Sequence, residues 1–232
     1  MIRFSLVAIT IIGMALLGVR YCHGAAPQCQ LSLTLLSDAS ASIKPAQHKL
    51  IREGTAWALN HENLRYSLIP KNASDPRIMV RVIEYADQQD ELVPFTMINT
   101  RADVEAIAAQ VLTRPRSPTQ VIGHSTGTGM ALENARRGFL EVPCARNVVD
   151  VLFDGESNAG ILTADVLKAY REETDQVNVL FLQGAYPIAT AQRVQFGPLA
   201  FTVLVAGYED VGRAMLRKLQ MEVAWGMEGK RA

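Results

Sequence analysis

The chain has 232 residues, 49% of them hydrophobic, and its 23 basic side chains balance its 23 acidic ones. That length and composition suit one sizeable core in a single domain of ordinary size. The even charge excludes the electrostatic footprint of a nucleic-acid binder, and no polybasic segment is present to hold an anionic membrane.

Residues 1–24 read as an export signal, with Arg3 in a short charged start, an apolar run from Phe4 to Val19, and Gly24 or Ala26 as the small residue before a cut. The run falls short of the roughly 20 apolar residues that cross a bilayer, so a cleaved signal and no membrane span in the mature chain are expected, with a retained N-terminal anchor as the alternative. Arg20 and Tyr21 are too large and polar to make Cys22 a lipidation site. Export to the periplasm or beyond leaves Cys29 and Cys144 in an oxidising compartment, where an even count favours a disulfide.

The first strand, Leu31 to Leu36, runs into Asp38-Ala39-Ser40-Ala41-Ser42. A strand that ends in an acid and turns at once lets alternate side chains converge on one point. One carboxylate and two hydroxyls there suit a hard, oxygen-seeking cation, Mg²⁺ or Mn²⁺. The same residue types also start helices, and Lys44-Pro45 follows, so the stretch read alone is equally a helix start.

Residues 45–59 form a helix with Leu50, Ile51, Gly54, Trp57 and Ala58 inward, and residues 60–76 read as a surface loop. Ile78 to Ile83 is a strand buried on both faces, ending in Glu84, an acid expected to face solvent; His48 and His61 are expected at the surface. A short strand over residues 92–95 is confined to a sheet edge by Pro94. Thr100 and Asp103 cap a helix whose inner face is Val104, Ile107, Ala108, Val111 and Leu112.

A Gly, Ser and Thr-rich loop, Thr119 to Gly129, leads into a helix with Leu132, Ala135 and Phe139 inward. The strand Val148 to Phe153 ends at Asp154-Gly155, with Glu156 and Asn158 read as turn residues. Next come a helix over residues 163–173, strands over 177–182 and 201–205, and a last helix with Val211, Met215, Leu219 and Val223 inward. This alternation predicts an α/β fold, a doubly wound and mainly parallel sheet flanked by helices, with its site beyond the carboxyl ends of the strands. Cys29 lies nine residues before Asp38 and Cys144 ten before Asp154. If the two strands are parallel neighbours, the cysteines lie level at one end and the aspartates at the other.

Over residues 29–225 the chain resembles a von Willebrand factor A-type (VWA) domain. The resemblance rests on Asp38-Ala39-Ser40-Ala41-Ser42, a loop threonine before Gly129-Met130-Ala131-Leu132, and Asp154-Gly155. With Glu84, the stretch Asp154 to Gly160 and the cysteine pair, it is more closely similar to an uncharacterised family of exported bacterial VWA-like proteins. The resemblance implies a metal-ion-dependent adhesion site. Ser40 and Ser42 would bind the cation directly, a threonine would complete the set, and Asp38 and Asp154 would act directly or through water. Thr126, three residues before Gly129, is the implied threonine, with Thr119 as runner-up. The position left open would accept an exposed Asp or Glu of a partner protein, which implies a binding module and not an enzyme. Ala41, where glycine is usual, is the one departure in the motif and is not a ligand position.

Two other readings stay open. Gly123-His124-Ser125-Thr126-Gly127 matches the nucleophile elbow of serine hydrolases. That elbow needs a strand directly before it, which Ser117-Pro118-Thr119-Gln120 is not, and a later histidine, whereas His23, His48, His61 and His124 all precede Ser125. The other is a scaffold with no metal in use, which a Mg²⁺ or Mn²⁺ titration separates from the adhesion site.

Overall fold

A computed structural model describes residues 29–115, 125–142, 144–184 and 186–228; the segment read as an export signal, Thr119 and most of the loop around it lie outside them. The strands are β1 (Cys29–Asp38), β2 (Ile78–Tyr85), β3 (Gln89–Ile98), β4 (Cys144–Phe153), β5 (Asp175–Leu182) and β6 (Thr202–Val205). The helices are α1 (Pro45–Asn60), α2 (Glu62–Leu68), α3 (Arg101–Thr113), α4 (Thr128–Glu141), α5 (Thr163–Leu167), α6 (Ile188–Gln192) and α7 (Val211–Glu228).

The strands form one sheet in the order β3-β2-β1-β4-β5-β6, all parallel except β3, which pairs antiparallel with β2 at the edge. This is the doubly wound fold that the alternation predicted. The chain winds from β1 to one side and later returns to the other, so the carboxyl ends of β1 and β4 flank the point where the winding reverses, the usual crevice of such sheets. β1 is covered on both faces. Leu31, Leu33 and Leu35 join the core under α1, α3 and α7, and Leu36 joins the core under α4 and α5. Each such side chain contributes about 1.5–3 kcal/mol by leaving water.

In parallel register Cys29 sits opposite Cys144, and the two form a disulfide with Cα atoms 4.7 Å apart. The offsets read from sequence thus place the bridge at the amino ends of β1 and β4, and Asp38 and Asp154 at their carboxyl ends.

Several details differ from expectation; Leu112, expected on the inner face of α3, is 49% exposed. α1 buries His48, Ile51, Arg52, Thr55, Ala58 and Leu59, while Leu50 is 38% and Trp57 48% exposed, so its inner face is rotated from the apolar stripe. The cause is Glu84, which is buried rather than solvent-facing. Its carboxylate accepts from Arg52 Nε at 2.7 Å and Nη2 at 2.6 Å and pairs with His48 Nε2 at 2.8 Å, so His48 is no surface residue either. Arg52 also donates to the Arg114 carbonyl just past α3. Residues 60–76 hold the short α2, capped by His61 and anchored by Leu64 and Leu68 one turn apart. β3 extends well beyond residues 92–95 at both ends, and α5 stops at Leu167, where turns take over and Asp175 accepts from the Arg171 amide at 2.9 Å.

The inner face of α7 is as predicted, but it also carries a buried charged group. Lys218 meets the Asp150 carboxylate and lies 2.6 Å from Glu222, and Asn178 Nδ2 donates to Glu222 Oε1 at 2.6 Å. Burial lowers the Lys218 ammonium to about 8, against the opposing pull of Glu222.

Two predictions follow from this framework. Closing a loop over a separation of 115 residues restricts the unfolded chain, so Cys29→Ser should cost up to about 4–5 kcal/mol in urea unfolding under non-reducing conditions. Burial opposes ionisation of Glu84, but the Arg52 and His48 bonds outweigh it and hold the carboxyl below its ordinary 4.5. A depressed carboxyl stabilises the fold fully above its unfolded value, and this is lost as pH falls through the lower folded value. Glu84→Gln should therefore cost about 3–5 kcal/mol at pH 7 and flatten the acid limb of a stability–pH profile below about pH 4.5.

Candidate metal centre

β1 ends at Asp38, a fully buried residue whose Oδ1 accepts from the Ser40 amide at 2.8 Å, folding the chain back within two residues. The Ala39 amide donates to the Tyr85 carbonyl at 2.8 Å, which ties the turn to the end of β2. Ile43 is buried and its amide donates to the Ser40 carbonyl, so the turn closes before α1 begins at Pro45. The helix-start reading fails for the serines, because the start of α1 takes no side-chain cap from them. Instead Ser40 Oγ lies 3.0 Å from Ser42 Oγ, and Ser42 Oγ donates to Asp154 Oδ1 at 3.0 Å. A line of oxygens thus runs from the β1 turn to the end of β4.

Asp154 is held from both sides. Its Oδ2 accepts from the Tyr208 hydroxyl at 3.3 Å. Burial, then the charges of Asp154 and Asp38, raise the Tyr208 phenol above its ordinary range, so it stays a proton donor at neutral pH. Tyr85 is fully buried against Thr128, and burial followed by the Asp38 charge likewise keeps its phenol protonated.

Thr126 is fixed by the segment after Asp154. Its amide donates to Asn158 Oδ1 at 2.7 Å, and its carbonyl accepts from the amides of Asn158 and Ala159 and from Ser157 Oγ, at 2.9, 3.2 and 3.0 Å. On the other side the Gly127 amide donates to the Ala86 carbonyl at 2.9 Å, and a Cβ on Gly127 would stand 2.6 Å from that oxygen, so only glycine fits. Ser40, Ser42, Thr126 and Asp154 line one cavity of about 430 Å³ with Tyr208, Tyr186 and Asn158. Asp38 is buried and is not part of that lining. Thr128 is turned into the first turn of α4 and lines a different depression, while Thr119 lies outside the described residues.

The donor set is two carboxylates and three hydroxyls, and among the described residues no group of three or more His, Cys, Asp or Glu forms a metal-binding cluster. Two of the separations among these oxygens, both hydrogen-bond distances, can be compared with the edge of an octahedral site. Bonds of about 2.1 Å give an octahedron edges √2 longer, about 3.0 Å, which is the Ser40–Ser42 and Ser42–Asp154 separation.

Sequence reasoning missed Asn158 and Tyr208. Asn158, read as a turn residue, is the main tether of Thr126, and Tyr208 lies in a short 3₁₀ turn that local pattern does not distinguish. Of the hydrolase stretch, Gly123 and His124 lie outside the described residues. The described histidines are engaged elsewhere, His48 with Glu84 and His61 at the cap of α2, and neither is bonded to Ser125.

The sheet order and flanking helices are those of the VWA-type fold. The chain belongs to the family described as protein of unknown function (DUF1194), whose model matches residues 28–227. No curated protein is a significant match. Among solved structures the chain is similar to proximal thread matrix protein 1 from the mussel byssus with a zinc-occupied MIDAS motif, at 19% identity and a TM-score of 0.62, covering 83% of this chain and 46% of that one. It is similar to the PilB minor pilin from Streptococcus sanguinis, at 13% identity and a TM-score of 0.66, covering 88% and 64%. A von Willebrand factor type A protein from Catenulispora acidiphila matches at 12% identity and a TM-score of 0.58, covering 84% and 42%. The chain thus spans about half the length of the mussel protein. At these identities the likeness is one of fold.

The Thr126 tether predicts a local effect. Asn158→Ala removes the acceptor of the Thr126 amide at a cost of about 1–3 kcal/mol, so hydrogen exchange at that amide should speed up roughly ten-fold or more. Asn158→Asp keeps an acceptor oxygen and should restore the slow exchange, as read by NMR.

Proposed function

We propose that this protein is an exported binding module that holds Mg²⁺, or Mn²⁺ in its place, and engages an acidic group on a partner protein. Asp38, Ser40, Ser42, Thr126 and Asp154 are the residues that would hold the ion. The observation that carries the reading is the 3.0 Å oxygen line from Ser40 through Ser42 to Asp154, which matches octahedral edges and leaves the serine hydroxyls uncommitted to capping α1.

A bound ion supplies an electrophilic centre. The chain supplies the rest. The three hydroxyls contribute oxygens without charge, and Asp154 is steadied by hydroxyl donors on both oxygens. Two carboxylates at most offset the two positive charges, and if Asp154 acts through water the ion keeps part of its charge. An incoming carboxylate then gains more at the cavity than it loses in leaving water. The zinc-occupied motif of the mussel protein supports divalent metal use at such a site, and the oxygen-only donors here favour the harder ions. The Cys29–Cys144 disulfide fits an oxidising compartment, as the export signal requires. The proposal is for binding and not catalysis.

Calorimetric titration of the mature protein with Mn²⁺ and Mg²⁺ tests this. Asp38→Asn keeps an acceptor for the Ser40 amide and removes the charge, so it should weaken metal binding at least ten-fold, about 1.4 kcal/mol or more, with the fold intact. Ser42→Ala should weaken it as well. Equal binding by all three proteins, or none by the wild type, would defeat the reading.

A further inference from the structure

A second depression lies beside the cavity of the proposed metal site. This groove, of about 610 Å³, is lined by Phe153, Ala164 and Val194 and edged by Ile161 and Leu162. Gly155, Glu156 and Asn158 line both depressions, so one stretch of chain, the same that tethers Thr126, is the wall between them. The Tyr186 ring packs on that wall, 3.0 Å from where a Cβ on Gly155 would stand. Large apolar side chains are left in water around it: Leu162 is 71% exposed, Ile161 47% and Tyr186 44%. Apolar surface gathered at a concave rim marks a contact region, whereas scattered exposed apolar residues need no explanation.

The charge at this junction is balanced. Glu156 is the acid on the shared wall, and Arg193, which lines the groove, stands 3.6 Å from it with both side chains more than half exposed. So exposed a pair is weak and readily exchanged. It offsets the Glu156 charge while leaving the guanidinium free to meet an incoming carboxylate. A segment crossing from the cavity into the groove therefore meets the ion of the proposed site, a balanced wall, and then apolar surface.

We propose that the groove is the second half of the partner surface and takes a leucine-sized side chain from the same extended segment whose acidic side chain enters the metal cavity. This rests on the metal-site reading above and adds to it the second requirement placed on the partner. The two depressions share one stretch of chain as their wall, and an extended chain advances about 3.3 Å per residue. The apolar residue therefore lies within a few positions of the acidic one. A lone carboxylate on an exposed ion distinguishes poorly among surface acids, and an apolar anchor in a pocket that excludes water supplies the selection.

The test is selection of short random peptides displayed on phage against the immobilised mature protein, with Mn²⁺ and with chelator. The expected Mn²⁺-dependent peptides carry an acidic residue and a large apolar residue at a fixed separation of a few positions. Leu162→Asp, a change at an exposed position, should weaken the strongest synthetic peptide about ten-fold or more while Mn²⁺ affinity stays the same. Alanine at the peptide's apolar position should weaken the wild type equally and add nothing to the variant's loss. Acidic peptides with no apolar preference, or undiminished binding by Leu162→Asp, would overturn the groove proposal and leave the metal site standing. Absence of any Mn²⁺-dependent acidic peptide would overturn both. A dimer of the wild type that Leu162→Asp dissociates would make a second copy the occupant and overturn this assignment.

Discussion

Parallel pairing of β1 with β4 is the constraint on which the rest of the molecule depends. The register that sets Cys29 opposite Cys144 carries both strands in step to their far ends, where Asp38 and Asp154 stand on either side of the crevice. A slip of one residue would turn the Leu31, Leu33 and Leu35 face over and separate Ser42 from Asp154. The two-sided burial of β1 and the covalent bridge therefore guard one geometry, and the candidate site takes its spacing from it.

Around that axis the loops are held from beneath. Glu84, at the end of β2, draws Arg52 and His48 inward from α1 and links them to the end of α3, so the helix that follows the serine turn cannot rotate without breaking a buried ion pair. Asn158 and its neighbours fasten Thr126 from the β4 side, and Tyr208 and Ser42 take the two oxygens of Asp154. The hydroxyls of Ser40, Ser42, Thr126 and Tyr208 share the cavity lining with the acids Asp154 and Glu156. A further carboxylate, Asp38, is buried and accepts from the Ser40 amide.

Much of the fold and the centre of the site could be read from sequence, because both are written in local pattern. Apolar runs ending in Asp38 and Asp154 mark strands and their edge, the paired cysteine offsets give the register, and Thr100 and Asp103 form the cap that their types suggest. What sequence left obscure depends on contacts between distant segments. Glu84 reads as a solvent-facing acid until Arg52 and His48 are placed opposite it, and those two polar residues in turn shift the inner face of α1 away from Leu50 and Trp57. Asn158 resembles any turn residue until Thr126 lies against it. The charged group around Lys218 is invisible in the same way, since its members come from β4, β5 and α7.

The central place of β1 also bears on how the chain can assemble. The earliest strand in sequence is flanked by β2 and by β4, and its partner in the disulfide lies 115 residues further on. Pairings so distant along the chain form late and slowly, since a long loop must close before they give anything in return. The β2–β3 hairpin can form early from neighbouring residues, but the crevice cannot close until β4 has been synthesised and has found β1. A nascent chain held open in this way stays threadable through most of its synthesis.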